Sequence, residues 1–268
     1  MAISASPVSG SPAESFDLNV SKGKVVGIKG VNKFGRSTNV DSGVDTDIWD
    51  GANASDTLAT WTPPSSAVIH GISSTTGSDT STGGGTGAMT VKISGLTAWD
   101  VPEQSEEISL AGTASVLTNN AYVIIHRMQV LTNGGTSINN GLLRAIGSTG
   151  NVTAQIIPGQ GQTQMAIYGI PAGKHFHVSQ YYASVNKSSP ATVSVDSRLC
   201  VNAHPDTQLV GYNVKHTLGL NTAGSSHLDH QFRPYFTVTG PAIIKLQGTG
   251  SANDADVSAG FDGYLETV

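Results

Sequence analysis

Two histidines are spaced so that they could share a metal ion. His175 and His177 lie in the segment GIPAGKHFHV and are separated by Phe176. In a β-strand, residues two apart project from the same face. Imidazole nitrogens are common ligands of first-row transition metals. The spacing is therefore compatible with a metal site on one face of a strand.

The surrounding sequence does not complete such a site. The spacing Gly169-x5-His175-x-His177 is similar to the start of the metal motif of cupins, which are jelly-roll proteins. That motif continues with a glutamate four or five residues after the second histidine, where this chain has Tyr181 and Tyr182. The second cupin motif is absent as well. Because a catalytic metal needs three or four converging ligands, we predict neither a metal centre nor a cofactor.

Two further histidines stay candidate ligands in case folding brings them to the first pair. His227 and His230 lie in the segment SSHLDH, and His216 precedes them. The spacing demonstrates only the pair on one strand, and histidines on polar strand faces or in loops are common without a metal. The candidate ligands are thus His175, His177, His227 and His230, and whether they converge is left open.

No other pattern predicts catalysis. A G-x-S-x-G nucleophile motif is absent, and the GGGTG segment lacks the lysine and hydroxyl residue of a phosphate-binding loop. The single cysteine, Cys200, is expected to be a small buried residue. Glu103, Glu106 and Glu107 could supply a glycosidase pair, but a charged strand edge or turn fits them better. No catalytic residue is predicted.

An aspartate-rich segment surrounds Trp49. Asp41, Asp45 and Asp47 offer the carboxylate ligands that calcium prefers, but no glutamate follows to close an EF-hand loop. We therefore predict that these aspartates cap turns within their own loop.

The composition excludes several classes of protein. Of 268 residues, only 12% are charged, while 32 are glycine, and the net charge is −5. A chain without a basic face is not expected to bind nucleic acid. No apolar run reaches the length of a membrane span, and no secretory signal is recognisable. Short strands joined by many turns fit this composition, whereas long amphipathic helices do not.

The pattern of strands and turns predicts an all-β protein, an antiparallel β-sandwich of jelly-roll type. Short strand-like segments recur with the spacing of a sandwich. We predict an extended N-terminal arm over residues 1–40, a first β lobe over 41–160 and a second sandwich lobe over 161–268. A single larger sandwich built from both halves is the alternative.

Longer phrases of the chain resemble a group of virion structural proteins from tailed bacteriophages. They are VNKFGRSTNVDSGVDTDIWDG, GTGAMTVKISGLTAWDVPEQSEEISLAGTASV, IPGQGQTQMAIYGIPAGKHFHVSQYYASVN, VKHTLGLNTAGSSHLDHQFRPYFTV and DADVSAGFDGYL. The resemblance implies a non-enzymatic component of the virion, made in the cytoplasm of a bacterial host. It implies a capsid decoration, cement, head-fibre, neck or tail subunit.

The partners expected from this resemblance are other copies of the chain and virion proteins such as the major capsid protein. A homotrimer or another closed oligomer is favoured, because homo-oligomers are usually cyclic. Uncharged Ser, Thr, Asn and Gly faces suit permanent contacts between copies. Two alternatives stay open: a tail or fibre domain that binds a host receptor or glycan, and a cupin-like metalloprotein.

Overall fold

Nearly all of the regular structure is antiparallel β-sheet, which confirms the predicted all-β sandwich class. The computed structural model describes residues 14–53, 58–186, 192–209 and 211–268. The elements are α1 Phe16–Ser21, β1 Ile28–Val40, β2 Thr46–Asp47, a 3-10 helix Asp50–Asn53, β3 His70–Ser74, β4 Ala88–Leu96, β5 Gln104–Ser109, β6 Val116–Leu117, β7 Ile124–Asn133, β8 Leu143–Gly147, β9 Val152–Ile156, β10 Ile167–Ile170, β11 Lys174–Asn186, β12 Ser194–Asn202, β13 Asn213–Asn221, β14 His227–Thr239, β15 Ala242–Gly250 and β16 Ala255–Thr267.

Eight of these strands form a jelly roll. Taken in chain order as β1 and then β10 to β16, the first pairs with the last, the second with the seventh, the third with the sixth and the fourth with the fifth. This is the pairing of one long hairpin rolled into two sheets. The sheets have the strand orders β1-β16-β11-β14 and β10-β15-β12-β13, and β2 adds to β15.

Strand β11 shows how the sequence produces the jelly-roll core. Phe176 and Val178 are buried between the two sheets, as the alternation predicts. A bulge between Val178 and Gln180, seen in the pairing with both neighbours, then shifts the alternation by one residue. As a result Tyr181 and Ala183 point inward in turn. The bulge lets this 13-residue strand keep one apolar face throughout its length.

Strands β3 to β9 form a second sandwich. Its sheets have the orders β6-β3-β8-β9 and β5-β4-β7. A separate apolar core fills the space between them, consisting of Ile72, Ala88, Val91, Ile93, Ile108, Leu110, Tyr122, Ile125, Met128, Val130, Leu143, Ala145, Ala154 and Ile156.

The order of the two sandwiches along the chain differs from the domain boundaries at residues 40 and 160 that the sequence predicts. The last part of the predicted arm, Ile28–Val40, is a jelly-roll strand, because its backbone pairs with β16 along most of its length. The sandwich of β3 to β9 is therefore inserted between the first and second jelly-roll strands. The sequence does not indicate this strand clearly. Apolar residues at inward positions are the usual sign of a strand, whereas here Lys33, Gly35 and Ser37 occupy such positions. Residues 1–13 of the predicted arm lie outside the described residues.

The two sandwiches meet across a third apolar cluster. It consists of Trp49, Trp61, Leu96, Val123, Ile124, Met165, Ile167 and Ile243. The chain enters and leaves the inserted sandwich side by side, because Ala166 N–H donates to the carbonyl of Ile48 at 2.9 Å. We call these two adjoining segments, at Ile48 and Ala166, the stem. Gly35 of β1 lies against the stem, where a Cβ atom would come within 2.2 Å of the Ile48 carbonyl oxygen. The inserted sandwich is thus joined to the jelly roll by apolar packing and by two hydrogen-bonded chain segments that run side by side.

The helix is a minor element. The hydroxyl of Ser15 accepts from the Leu18 N–H at 3.3 Å and caps the start of α1. Phe16 then contacts the ring of Tyr264 edge to face, with centroids 5.2 Å apart. Within the part of the chain that the structure describes, no helix is long and apolar enough to cross a bilayer.

Candidate functional site

The predicted histidine pair lies on the outer face of the jelly roll. The turn before it contains Gly173, whose φ of 71° is in the left-handed region that favours glycine. Strand β11 then begins, with Phe176 buried and His175 and His177 on the opposite, partly exposed face.

The structure adds a third candidate ligand that the local sequence lacks. Glu266 of β16 pairs directly opposite His175. A carboxylate oxygen of Glu266 lies 2.9 Å from Nε2 of His177. One donor atom from each of these three side chains can be chosen so that all lie within 4.8 Å of one another. No local spacing reveals Glu266, because only the register of β16 against β11 brings it to the histidines.

A hydroxyl orients one of the two imidazoles. Nδ1 of His177 lies 2.9 Å from Oγ1 of Thr237 on β14, on the opposite side of the ring from Glu266. The two histidine rings are nearly perpendicular, with centroids 6.2 Å apart. The nearby ammonium of Lys174 donates to Oγ1 of Thr267 at 2.6 Å. His177 is therefore held between two polar partners from neighbouring strands.

The other two candidate histidines do not join this group. His227 pairs opposite Ser184, nine residues beyond His175 on β11 and so about 30 Å away along the strand. His230 pairs opposite Tyr181, on the inward-facing side of β14. The four candidate histidines therefore do not converge, because the length of β11 separates them.

His230 belongs instead to an aromatic cluster between β13 and β14. Its ring stacks on that of His216 with centroids 4.1 Å apart, and Phe232 contacts it edge to face. The hydroxyl of Tyr181 lies 2.7 Å from Nδ1 of His216. Burial, and then the charge of His230, lowers the pKa of His216. The cluster packs between β13 and β14 at one side of the jelly roll.

A cavity of about 260 Å³ lies where the two sandwiches meet. Glu103 accepts from Lys29 at 2.9 Å, and its other oxygen lies 2.9 Å from Nε2 of the buried His126. Lys33 is buried beside them and donates to the His126 carbonyl. Burial, followed by the charge of Arg127, holds the pKa of Lys33 well below its ordinary value. These contacts connect β1 to the inserted sandwich.

Two of the glutamates noted in the sequence take part in separate contacts. Glu103 lines the cavity, whereas Glu106 accepts from the Asn119 N–H at 2.8 Å and from the Tyr122 hydroxyl at 2.9 Å. Glu106 thus organises a turn beside its own strand.

The aspartates near Trp49 also have separate roles. Asp45 binds the guanidinium of Arg198, and Asp47 binds the ammonium of Lys245. The carboxylate of Asp50 accepts from the backbone N–H of residue 164 at 2.9 Å. These partners lie outside the aspartate-rich segment, so the prediction that its aspartates cap turns within their own loop is wrong for Asp45 and Asp47. Sequence reasoning missed the partners because they lie more than 100 residues away.

Cys200 is buried, as expected. Burial raises the pKa of its thiol to about 11. A thiol with this pKa is protonated at neutral pH and is a poor nucleophile.

No protein-family model, no curated protein and no solved structure matches this chain.

Proposed function

We propose that this protein is a non-enzymatic structural subunit of a tailed-phage virion, of the capsid decoration, cement or head-fibre type. The proposal places it in a closed homo-oligomer, with a trimer favoured, on a particle built by other proteins such as the major capsid protein. It rests on the resemblance of several sequence segments to virion proteins and on one structural observation. One side of the jelly roll is covered by the chain itself, whereas the opposite side is open.

One side of the jelly roll is covered by the chain itself. The strands at this side, β1 and β10, lie against the inserted sandwich. Gly169 of β10 lies so close to it that a Cβ atom would come within 2.9 Å of Ile124. The hydrogen bond from Lys33 to the carbonyl of His126 crosses the same boundary. These two edge strands are therefore shielded from pairing with another chain.

The opposite side is open. Among the described residues, no strand pairs with the outer edge of β13 or of β14. The inward-facing Leu218, Leu228, Phe232 and Phe236 are only partly buried there. Val214 is 51% exposed on β13. Two adjacent open edges with half-buried apolar residues suit contact with another copy, which would cover both.

The first experiment measures assembly directly. Native mass spectrometry of the purified chain over a range of concentrations should show a closed oligomer, and proteomics of purified particles should find the chain among the virion proteins. A chain that stays monomeric at high concentration and is absent from particles would overturn the proposal.

A matched pair of variants tests which surface assembles. Val214→Lys places a charge on the open β13 edge, and Leu131→Lys places one on an equally strand-borne, 44% exposed position of the inserted sandwich. We expect the first variant to shift the oligomer towards monomer and the second to leave the mass unchanged. Equal behaviour of the two variants would contradict assembly through β13 and β14.

The receptor or glycan alternative draws on one feature. Tyr235, which is 52% exposed, lies near Tyr264 on the outer face of the jelly roll, with ring centroids 5.9 Å apart. Exposed aromatic rings can stack on sugars. Glycan-array binding that is lost in Tyr235→Ala would favour this alternative.

The orientation of the histidine pair gives little support to the cupin-like alternative. His175 and His177 face away from the interior, while Phe176 and Val178 fill it. This histidine pair therefore cannot serve a site enclosed within the sandwich.

A further inference from the structure

We infer that His175, His177 and Glu266 form a surface site for one first-row transition metal ion such as Zn²⁺. The inference does not depend on the proposed virion role, because it concerns the outer face of one sheet within a single chain.

The donor set fits zinc. Zn²⁺ accepts two imidazole nitrogens and one carboxylate oxygen as ligands, and a set of three leaves a fourth position for water or another side chain. A calcium or magnesium site would need oxygen ligands in greater number. The chemistry of the side chains therefore selects a transition metal over the hard cations.

The backbone places the three donors with little freedom. His175 and His177 share a face because they are two apart on β11, and Glu266 pairs directly opposite His175 on β16. Tetrahedral zinc with ligand distances of about 2.0–2.1 Å needs donor atoms about 3.3 Å apart. The His177–Glu266 separation of 2.9 Å is close to this, and the full set lies within 4.8 Å. Small side-chain rotations on a fixed sheet would complete the site.

Thr237 favours the required orientation of His177. Its hydroxyl contacts Nδ1, which leaves Nε2 directed towards Glu266. A partner on the second ring nitrogen fixes the tautomer and the ring plane of a metal-binding histidine. Thr237 is therefore a positioning residue, not a ligand.

The experiment is calorimetric titration of Zn²⁺ into the full chain, purified without a metal-affinity tag and freed of metal before use. We expect one ion per chain. His177→Gln and Glu266→Gln should remove stoichiometric binding, and Thr237→Val should weaken it by about 10-fold. Co²⁺ in place of Zn²⁺ should give the visible absorption of a tetrahedral complex, which His177→Gln abolishes.

The control is His227→Gln, which removes an exposed histidine at the far end of the same sheet. It should bind Zn²⁺ as the unaltered chain does. Circular dichroism establishes that each variant is folded. Absence of stoichiometric binding by the folded unaltered chain, stoichiometric binding that survives His177→Gln, or loss of binding in His227→Gln would overturn the inference. Oligomer mass, measured with and without Zn²⁺, tests the proposed function separately from metal binding.

Discussion

The ammonium of Lys245 lies 2.8 Å from Oδ2 of Asp47, and both side chains are almost completely buried. The same carboxylate oxygen accepts from the Trp61 N–H at 2.7 Å, and the ammonium lies 3.9 Å from the centre of the Tyr212 ring. This pair joins β15 of the jelly roll to the segment that leads into the inserted sandwich.

Breaking the Asp47–Lys245 pair should be strongly destabilising. Lys245→Met leaves a buried carboxylate without its partner, so we expect a loss of about 3–5 kcal/mol in the free energy of unfolding. Asp47→Asn combined with Lys245→Met removes both charges and should recover part of that loss. Urea denaturation of the single and double variants measures the coupling. Additive effects of the two substitutions would show that the pair contributes no specific interaction.

Asp50 should make stability fall as the pH rises. Burial raises its pKa from 3.8 to about 7. Between these values the folded state holds a proton that the unfolded state has released, so stability decreases with pH and levels off above about 7. Asp50→Asn should flatten this slope and raise stability at pH 8 by on the order of a few kcal/mol. Denaturation of both proteins from about pH 4 to pH 8 measures the difference, and identical profiles would contradict the raised pKa.

Gly35 should not tolerate a larger side chain. The Cβ atom of Gly35→Ala would lie 2.2 Å from the Ile48 carbonyl oxygen and 2.5 Å from the Ala166 nitrogen, both backbone atoms of the stem. We expect a loss of about 1–3 kcal/mol, measured by thermal or urea unfolding. Gly30→Ala on the same strand is the control, because its nearest contact would be at 3.8 Å. An equal effect of both substitutions would exclude the steric explanation.

The aromatic cluster should loosen the open side of the jelly roll in acid. Because the pKa of His216 is lowered, the unfolded state takes up its proton first as the pH falls, so the stability contributed by this group is lost below its ordinary value. Hydrogen-exchange protection of β13 amides should drop between about pH 7 and pH 5. His230→Phe keeps a ring at this position and should reduce the drop. An unchanged drop would rule out the contact of the two imidazoles as its cause.

The amino-acid sequence was sufficient to predict the class of the fold and the orientation of local segments. Alternating residues predict the strands and put Phe176 on the face opposite His175 and His177, while low charge with abundant glycine fits short strands better than long amphipathic helices. These properties are local, because a pleated strand presents alternate residues to opposite faces wherever it lies in the chain.

The meeting of distant segments became visible only in the folded chain. The backbone pairing of β1 with β16 turned a predicted arm into a jelly-roll strand. The register of β16 against β11 brought Glu266 to His175 and His177, while the length of β11 kept His227 away. Strand pairing depends on backbone hydrogen bonds that nearly every residue can make, so residue types reveal a strand far better than they reveal its partner.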